Sequence, residues 1–305
     1  MHITLLALFL GAPRTVVAMC SAGVLLFLIG LWAAKSEIVR AYRLDKFVAA
    51  TNLCFAIPLA VFGALHLANI AFVLPAVPDY MPWRLFWAYL VGVALLAASL
   101  SIATKIQVFW SGLLFGAMMF LFVLMSDLPG AIASPRDRLG WTLAIRELSF
   151  AAGGWLLAAG VMREPHRSKL ITVGRIILGV AAIFYGVEHF LHPLHCPGVP
   201  LEKIMPAYIP GRPLIGVATG AILVVTGACI LLNKYIRAAA TYLGSWIVLL
   251  VVFVYGPIMI VQLLDPSIGA KVEGINYFAD TLLFAAAILA LAAASPPESE
   301  RPKAA

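Results

Sequence analysis

Residues 172–190 read TVGRIILGVAAIFYGVEHF, a run that is apolar almost without interruption until a Glu-His pair near its end. As a helix, nineteen residues rise roughly 29 Å, about the thickness of a bilayer's hydrocarbon core. The apolar residues are continuous rather than alternating, which points to a spanning helix and away from a membrane barrel strand. Backbone amides find no water at that depth, so the segment must satisfy them internally. The rest of the chain repeats this character. Of 305 residues, 63% are hydrophobic and 11% charged, and the mean hydropathy is +1.01. A water-soluble domain of this length needs far more charge to cover its surface. Nine spans are expected, at 15–34, 47–73, 85–102, 107–125, 141–161, 172–190, 213–232, 239–263 and 275–294. The expected class is an all-α polytopic membrane protein with the lipid bilayer as its principal partner. No soluble basic domain is present, so nucleic acid is not expected as a partner.

The same stretch has a counterpart upstream. Residues 62–66 are FGALH and residues 185–189 are YGVEH. Each is followed by a loop with two prolines around a tyrosine, PDYMP at 78–82 and PAYIP at 206–210, then by Arg84 or Arg212, and eight residues later by Gly92 or Gly220. The offset is 123 residues at the histidines and 128 at the tyrosines, so the second loop has five extra residues. Alanine and leucine noise does not create ordered matches of Pro, Tyr, His and Arg. The chain therefore reads as an N-terminal helix and loop over 1–45, a four-helix unit over 46–161, a second over 170–294, and a disordered tail over 295–305. Four is even, so both units enter the membrane from one side as parallel repeats. His66 and His189 then share one depth, and Tyr80 and Tyr208 one face. Proline stiffens these loops, and their tyrosines suit either the headgroup layer or a lid over a pocket.

Lysines and arginines set the orientation. Lys35, Arg40, Arg43, Lys46, Lys105, Arg163, Arg167, Lys169, Lys234, Arg237, Arg301 and Lys303 fall on one side; Arg14, Arg84, Arg136, Arg138, Lys203, Arg212 and Lys271 fall on the other. The richer side is expected in the cytoplasm, with the N-terminus outside, the C-terminus inside and a bacterial inner membrane as the location. Residues 3–12 are too short to span and read as an interfacial lead-in.

Gly186, His189, Phe190, Pro193, Pro206 and Pro210, with Gly220 and Gly227, resemble a DoxX-like membrane protein. The first unit keeps Gly63, His66, Pro78, Tyr80, Pro82 and Gly92, with Asn69 where the downstream proline stands in the second. The resemblance implies four-helix membrane units, a link to quinone-dependent oxidoreductases, a redox partner subunit and, in related units, thiol-redox systems. The latter use paired cysteines, whereas Cys20, Cys54, Cys196 and Cys229 form no Cys-x-x-Cys pair.

Two groups of residues can carry chemistry. Glu188, His189 and His192, with His195 and Cys196 beyond Pro193, form the densest polar cluster. Its open readings are a polar rim at the membrane boundary, a metal or haem site, and a proton-handling quinone site. His66, Tyr80 and Tyr208 join it as candidate ligand-binding residues through the repeat. The second group is Arg146 and Asp280, which fall opposite each other when Phe150 is aligned with Phe284. An unpaired charge there is costly, so a buried pair is expected; Glu147, about 100° around the helix from Arg146, is expected to be its poor partner. Three functions remain open: a quinone- or haem-linked redox subunit with a site near the outer leaflet, a carrier of small molecules, and a ligand-free scaffold or assembly factor.

Overall fold

The computed structural model describes residues 13–199 and 201–296. Among them are nine long helices: α1 (Arg14–Arg40), α2 (Thr51–Ala68), α3 (Arg84–Thr104), α4 (Val108–Ala133), α5 (Arg138–Gly160), α6 (His166–Leu191), α7 (Arg212–Leu231), α8 (Ile236–Leu263) and α9 (Ile268–Ala294). No strand occurs among the described residues beyond an isolated bridge between His195 and Ile204. Eight of the nine helices are long and apolar enough to cross a membrane. The other is α5, whose middle carries Arg146 and Glu147. It packs against α4, α6 and α9, so protein rather than lipid surrounds those charges. The chain is an all-α polytopic membrane protein.

The two units share their internal joints. In the first, a Cβ on Gly63 would lie 2.9 Å from the Gly92 carbonyl oxygen; in the second, one on Gly186 would lie 2.9 Å from that of Gly220. Missing side chains thus let α2 approach α3, and α6 approach α7, in the same way. The turns after these pairs match as well. Lys105 and Gln107 adopt φ of 60° and 58°, Asn233 and Tyr235 φ of 59° and 52°. The third helices both contain a π turn, Val123–Asp127 in α4 and Val251–Tyr255 in α8. Each is followed by a proline, Pro129 or Pro257, at the second position of the next α-helical turn. At both prolines the missing hydrogen bond is absorbed by a π turn, which adds one residue to the helix.

The units meet through their fourth helices. A Cβ on Gly153 of α5 would sit 2.5 Å from that of Ala287 in α9. These two residues correspond under the alignment of Phe150 with Phe284, so equivalent positions touch across the pseudo-twofold axis. In addition α2 packs on α9 and α6 on α5. α9 buries 78% of its most apolar stretch, against 28% for α1 and for α3. The axis helices are solvated by protein and the flanking ones by lipid. α1 lies against α2, with Gly23 and Gly30 opposite Val61 and Leu53.

Several expected boundaries move. The span placed at 47–73 is a short helix, Asp45–Ala49, then α2, then a break at Asn69 (φ −146°, ψ 68°) and a helical turn Ile70–Val73. The span placed at 107–125 continues through its π turn to Ala133, and the one placed at 275–294 begins at Ile268. α6 stops at Leu191, so His192 caps it rather than extending it. The lead-in at 3–12 and residues 297–305 of the tail lie outside the described residues; Ser295 is buried.

Candidate functional site

Arg84 and Arg212 open α3 and α7 and fold back onto the loops that precede them. Arg84 Nη2 donates to the Leu74 carbonyl at 3.0 Å, and Arg212 Nη1 to that of Met205 at 3.0 Å. Tyr80 and Tyr208 are both exposed; the Tyr80 hydroxyl donates to the Met125 carbonyl in the π turn of α4 at 2.8 Å. Beyond these shared features the two loops part. The first coils along the surface as short helical turns over Ile70–Val73 and Leu74–Ala76. The second turns inward. Cys196 N–H donates to the Lys203 carbonyl and Met205 N–H to that of Leu194, and the tip, 197–199, is buried.

The inward loop occupies the residues expected to bind a ligand. His189 is fully buried, and its Nε2 accepts from Gly198 N–H at 3.0 Å. Glu188, 8% exposed, pairs with Arg138 Nη1 at 3.0 Å, and Arg138 Nη2 donates to the Leu201 carbonyl. His192 N–H donates to the Glu188 carbonyl and closes the helix end. Its ring stands edge-on to that of His195, centroids 5.0 Å apart. Burial, and after it the nearby Arg138 guanidinium, hold the His195 imidazole below its usual range, and burial pushes the Cys196 thiol up to about 12. A thiol held that high is protonated at neutral pH and is a poor nucleophile. His66 is engaged in its own unit, Nδ1 lying 2.8 Å from the Phe62 carbonyl. Among the described residues no cluster of His, Cys, Asp and Glu is arranged to hold a metal ion. An iron between the two histidines does not fit, because the Nε2 of His189 is taken by the loop.

Arg146 and Asp280 meet across the pseudo-twofold axis, Nη1 to Oδ2 at 3.1 Å. The expectation for Glu147 needs correction: its Oε1 lies 2.7 Å from Arg146 Nη2 and 3.2 Å from Nε. The 100° between neighbours separates their Cβ atoms, but a guanidinium at the end of a long stem can swing back along the helix. One cation therefore serves two carboxylates, each side chain being 14–17% exposed. Asp127, on the π turn of α4, has a buried Oδ2 with no hydrogen-bond partner. Tyr185 stands edge-on to the Phe284 ring, centroids 5.5 Å apart, and donates its hydroxyl to the Thr142 carbonyl at 3.0 Å. Directly along α5 and α9 the protein turns dry: Phe55, Phe150, Phe284 and Ala287 are at most 1% exposed.

No known family model, no curated protein and no solved structure matches this chain.

Sequence reasoning passed over Asp127, Arg138 and Tyr255. Asp127 fell just past an expected span end, although it aligns with Tyr255 at the offset of 128 that joins the tyrosine loops. Arg138 was counted only as a topology charge. A separate shallow groove of about 570 Å³ lies beside the first tyrosine loop, lined by Leu74, Met81, Trp83, Arg84, Leu85 and Phe86. The Nε of Arg84 is buried there without a partner.

Proposed function

We propose that this chain is a DoxX-like subunit of a quinone-linked redox system in a bacterial inner membrane, with its tyrosine loops outside and a redox partner subunit beside it. The observation that carries the reading is the interior charge set on the pseudo-twofold axis. Arg146 neutralises only one of Glu147 and Asp280, and Asp127 adds another carboxylate within electrostatic reach of Glu147 and Arg146. A structural ion pair needs one partner. Surplus carboxylates in a low-dielectric interior are suited to taking and releasing protons, which reduction of a quinone consumes and its oxidation releases.

The groove beside the first tyrosine loop fits the carrier itself. Leu74, Leu85 and Phe86 offer an apolar and aromatic wall to a ring and its isoprenoid tail, Trp83 an indole at headgroup level, and Arg84, held by Asp79 and the Leu74 carbonyl, a guanidinium for a ring carbonyl. A bound quinone would supply the electron chemistry; Arg84 would orient it, and the carboxylates would hold protons. The close-packed layer around Phe150, Phe284 and the Gly153–Ala287 contact weighs against a carrier path through the axis, and the engaged His189 weighs against haem.

Organic extraction of the purified protein, followed by chromatography, tests this. About one quinone per chain is expected, without a Soret band, and Arg84→Leu should lose it while keeping its far-UV spectrum. Protein that holds no quinone after purification in mild detergent, and binds none when reconstituted with it, contradicts the reading.

A further inference from the structure

The tip of the second loop is held by a single peptide group. Tyr255 donates its hydroxyl to the Pro197 carbonyl at 2.7 Å, and His189 Nε2 accepts from the Gly198 N–H of the same peptide plane. Both side chains are essentially inaccessible. Gly198 has φ of +108°, and a Cβ there would lie 3.3 Å from Thr281 Cγ2. The chain thus pushes a glycine between α6, α8 and α9, where a side chain would be strained and crowded.

Around this tip the loop is fastened at its rim by charges. Arg138 grips Glu188 and the Leu201 carbonyl, and Lys203 Nζ lies 2.8 Å from Glu273, whose side chain is 45% exposed. The closed arrangement also leaves His189 Nδ1 and His195 Nδ1 buried without hydrogen bonds. Buried polar atoms left unpaired raise the free energy of a state. The first unit, built on the same helices, does without any inward loop, so the bundle does not need one to stand. We propose that residues 192–199 and 201–211 form a detachable stopper that closes the tyrosine-loop end of the second unit, with Arg138–Glu188 and Lys203–Glu273 as its latches. Lifting it turns the Tyr255 hydroxyl and His189 Nε2 toward the opened space, ready for a ligand that offers an acceptor beside a donor, as an amide does. This does not depend on the quinone reading, which concerns the first unit and the axis.

Cys196, fully buried in the seated loop, reports the opening. In a variant with Cys20, Cys54 and Cys229 replaced by alanine, purified in nanodiscs, the rate of labelling by a membrane-impermeant maleimide is measured against Glu202→Cys. Glu202 is exposed on the same loop, and its control carries Cys196→Ala as well. Cys196 is expected to react about 100-fold more slowly than the control, as for a residue reached only by local opening. Paired Glu188→Gln and Lys203→Gln substitutions should speed it about tenfold or more, and so should Tyr255→Phe. Raising salt from about 0.05 to 1 M should do the same for the parent, because it screens the exposed latch without touching the sequence. Equal rates for Cys196 and the control would show that the tip is not seated. A slow rate unmoved by salt, by the latch variants and by Tyr255→Phe would show a permanent core element. Either result overturns the proposal.

Discussion

The two tyrosine loops stand on matching helix frames and do different things. In the first unit the chain after His66 coils along the surface, and the interior carries Asp127, Arg146 and Glu147. In the second it dives inward after His192, and the equivalent positions are Tyr255, Asp280 and Thr281. The two units share a frame: glycine contacts, left-handed turns, π turns and arginines that fold back. The two differ in that the first carries most of the interior charge and the second an inward loop. The charges of the two meet only on the axis, where Arg146 reaches Asp280.

The heaviest blow to that comparison is Arg146→Met. It strands two partly buried carboxylates, and breaking a buried pair by removing one partner costs about 3–5 kcal/mol. The SDS unfolding midpoint of purified protein should fall sharply, and adding Glu147→Gln with Asp280→Asn should recover much of the loss. A variant as stable as the parent would mean that the units are not joined by this charge.

A smaller effect sharpens the repeat itself. A Cβ on Gly92 would meet His66 Cβ at 2.8 Å, and one on Gly220 would meet His189 Cβ at 3.0 Å. Gly92→Val and Gly220→Val should each lose about 1–3 kcal/mol through overpacking, by similar amounts in the same unfolding assay. Gly130→Ala, with nothing within 4 Å of the new methyl, should be neutral. A large gap between the two valine variants would break the equivalence of the joints.

Smallest is the contrast between tyrosines. Tyr255→Phe leaves a buried carbonyl unpaired and should cost about 1–3 kcal/mol. Tyr80→Phe removes a hydrogen bond that water can replace and should cost below about 1 kcal/mol. Thermal scans in one detergent compare them.

Spanning helices were legible in the sequence because lipid demands long apolar runs, and the matching loops because proline, tyrosine and histidine rarely align by accident. The Arg146–Asp280 pair was legible through the Phe150–Phe284 alignment. Asp127 was not, because a π turn carries α4 eight residues past the point where hydropathy falls. Glu147 was set aside on Cβ geometry, which neglects the reach of a guanidinium. The plug had one faint signal, the five extra residues of the second loop. Its buried Val199, Met205 and Ile209 follow no helical or strand period, and only the tertiary fold shows what they cover.

Whether one four-helix unit is used twice in the same sense is decided by labelling from one side of the membrane. Single cysteines at Tyr80 and Tyr208, in a background without native cysteines, are treated with an impermeant maleimide in sealed, uniformly oriented vesicles. Both are expected to react from the same face and to be protected on the other; reaction of one from each face would rule out parallel repeats.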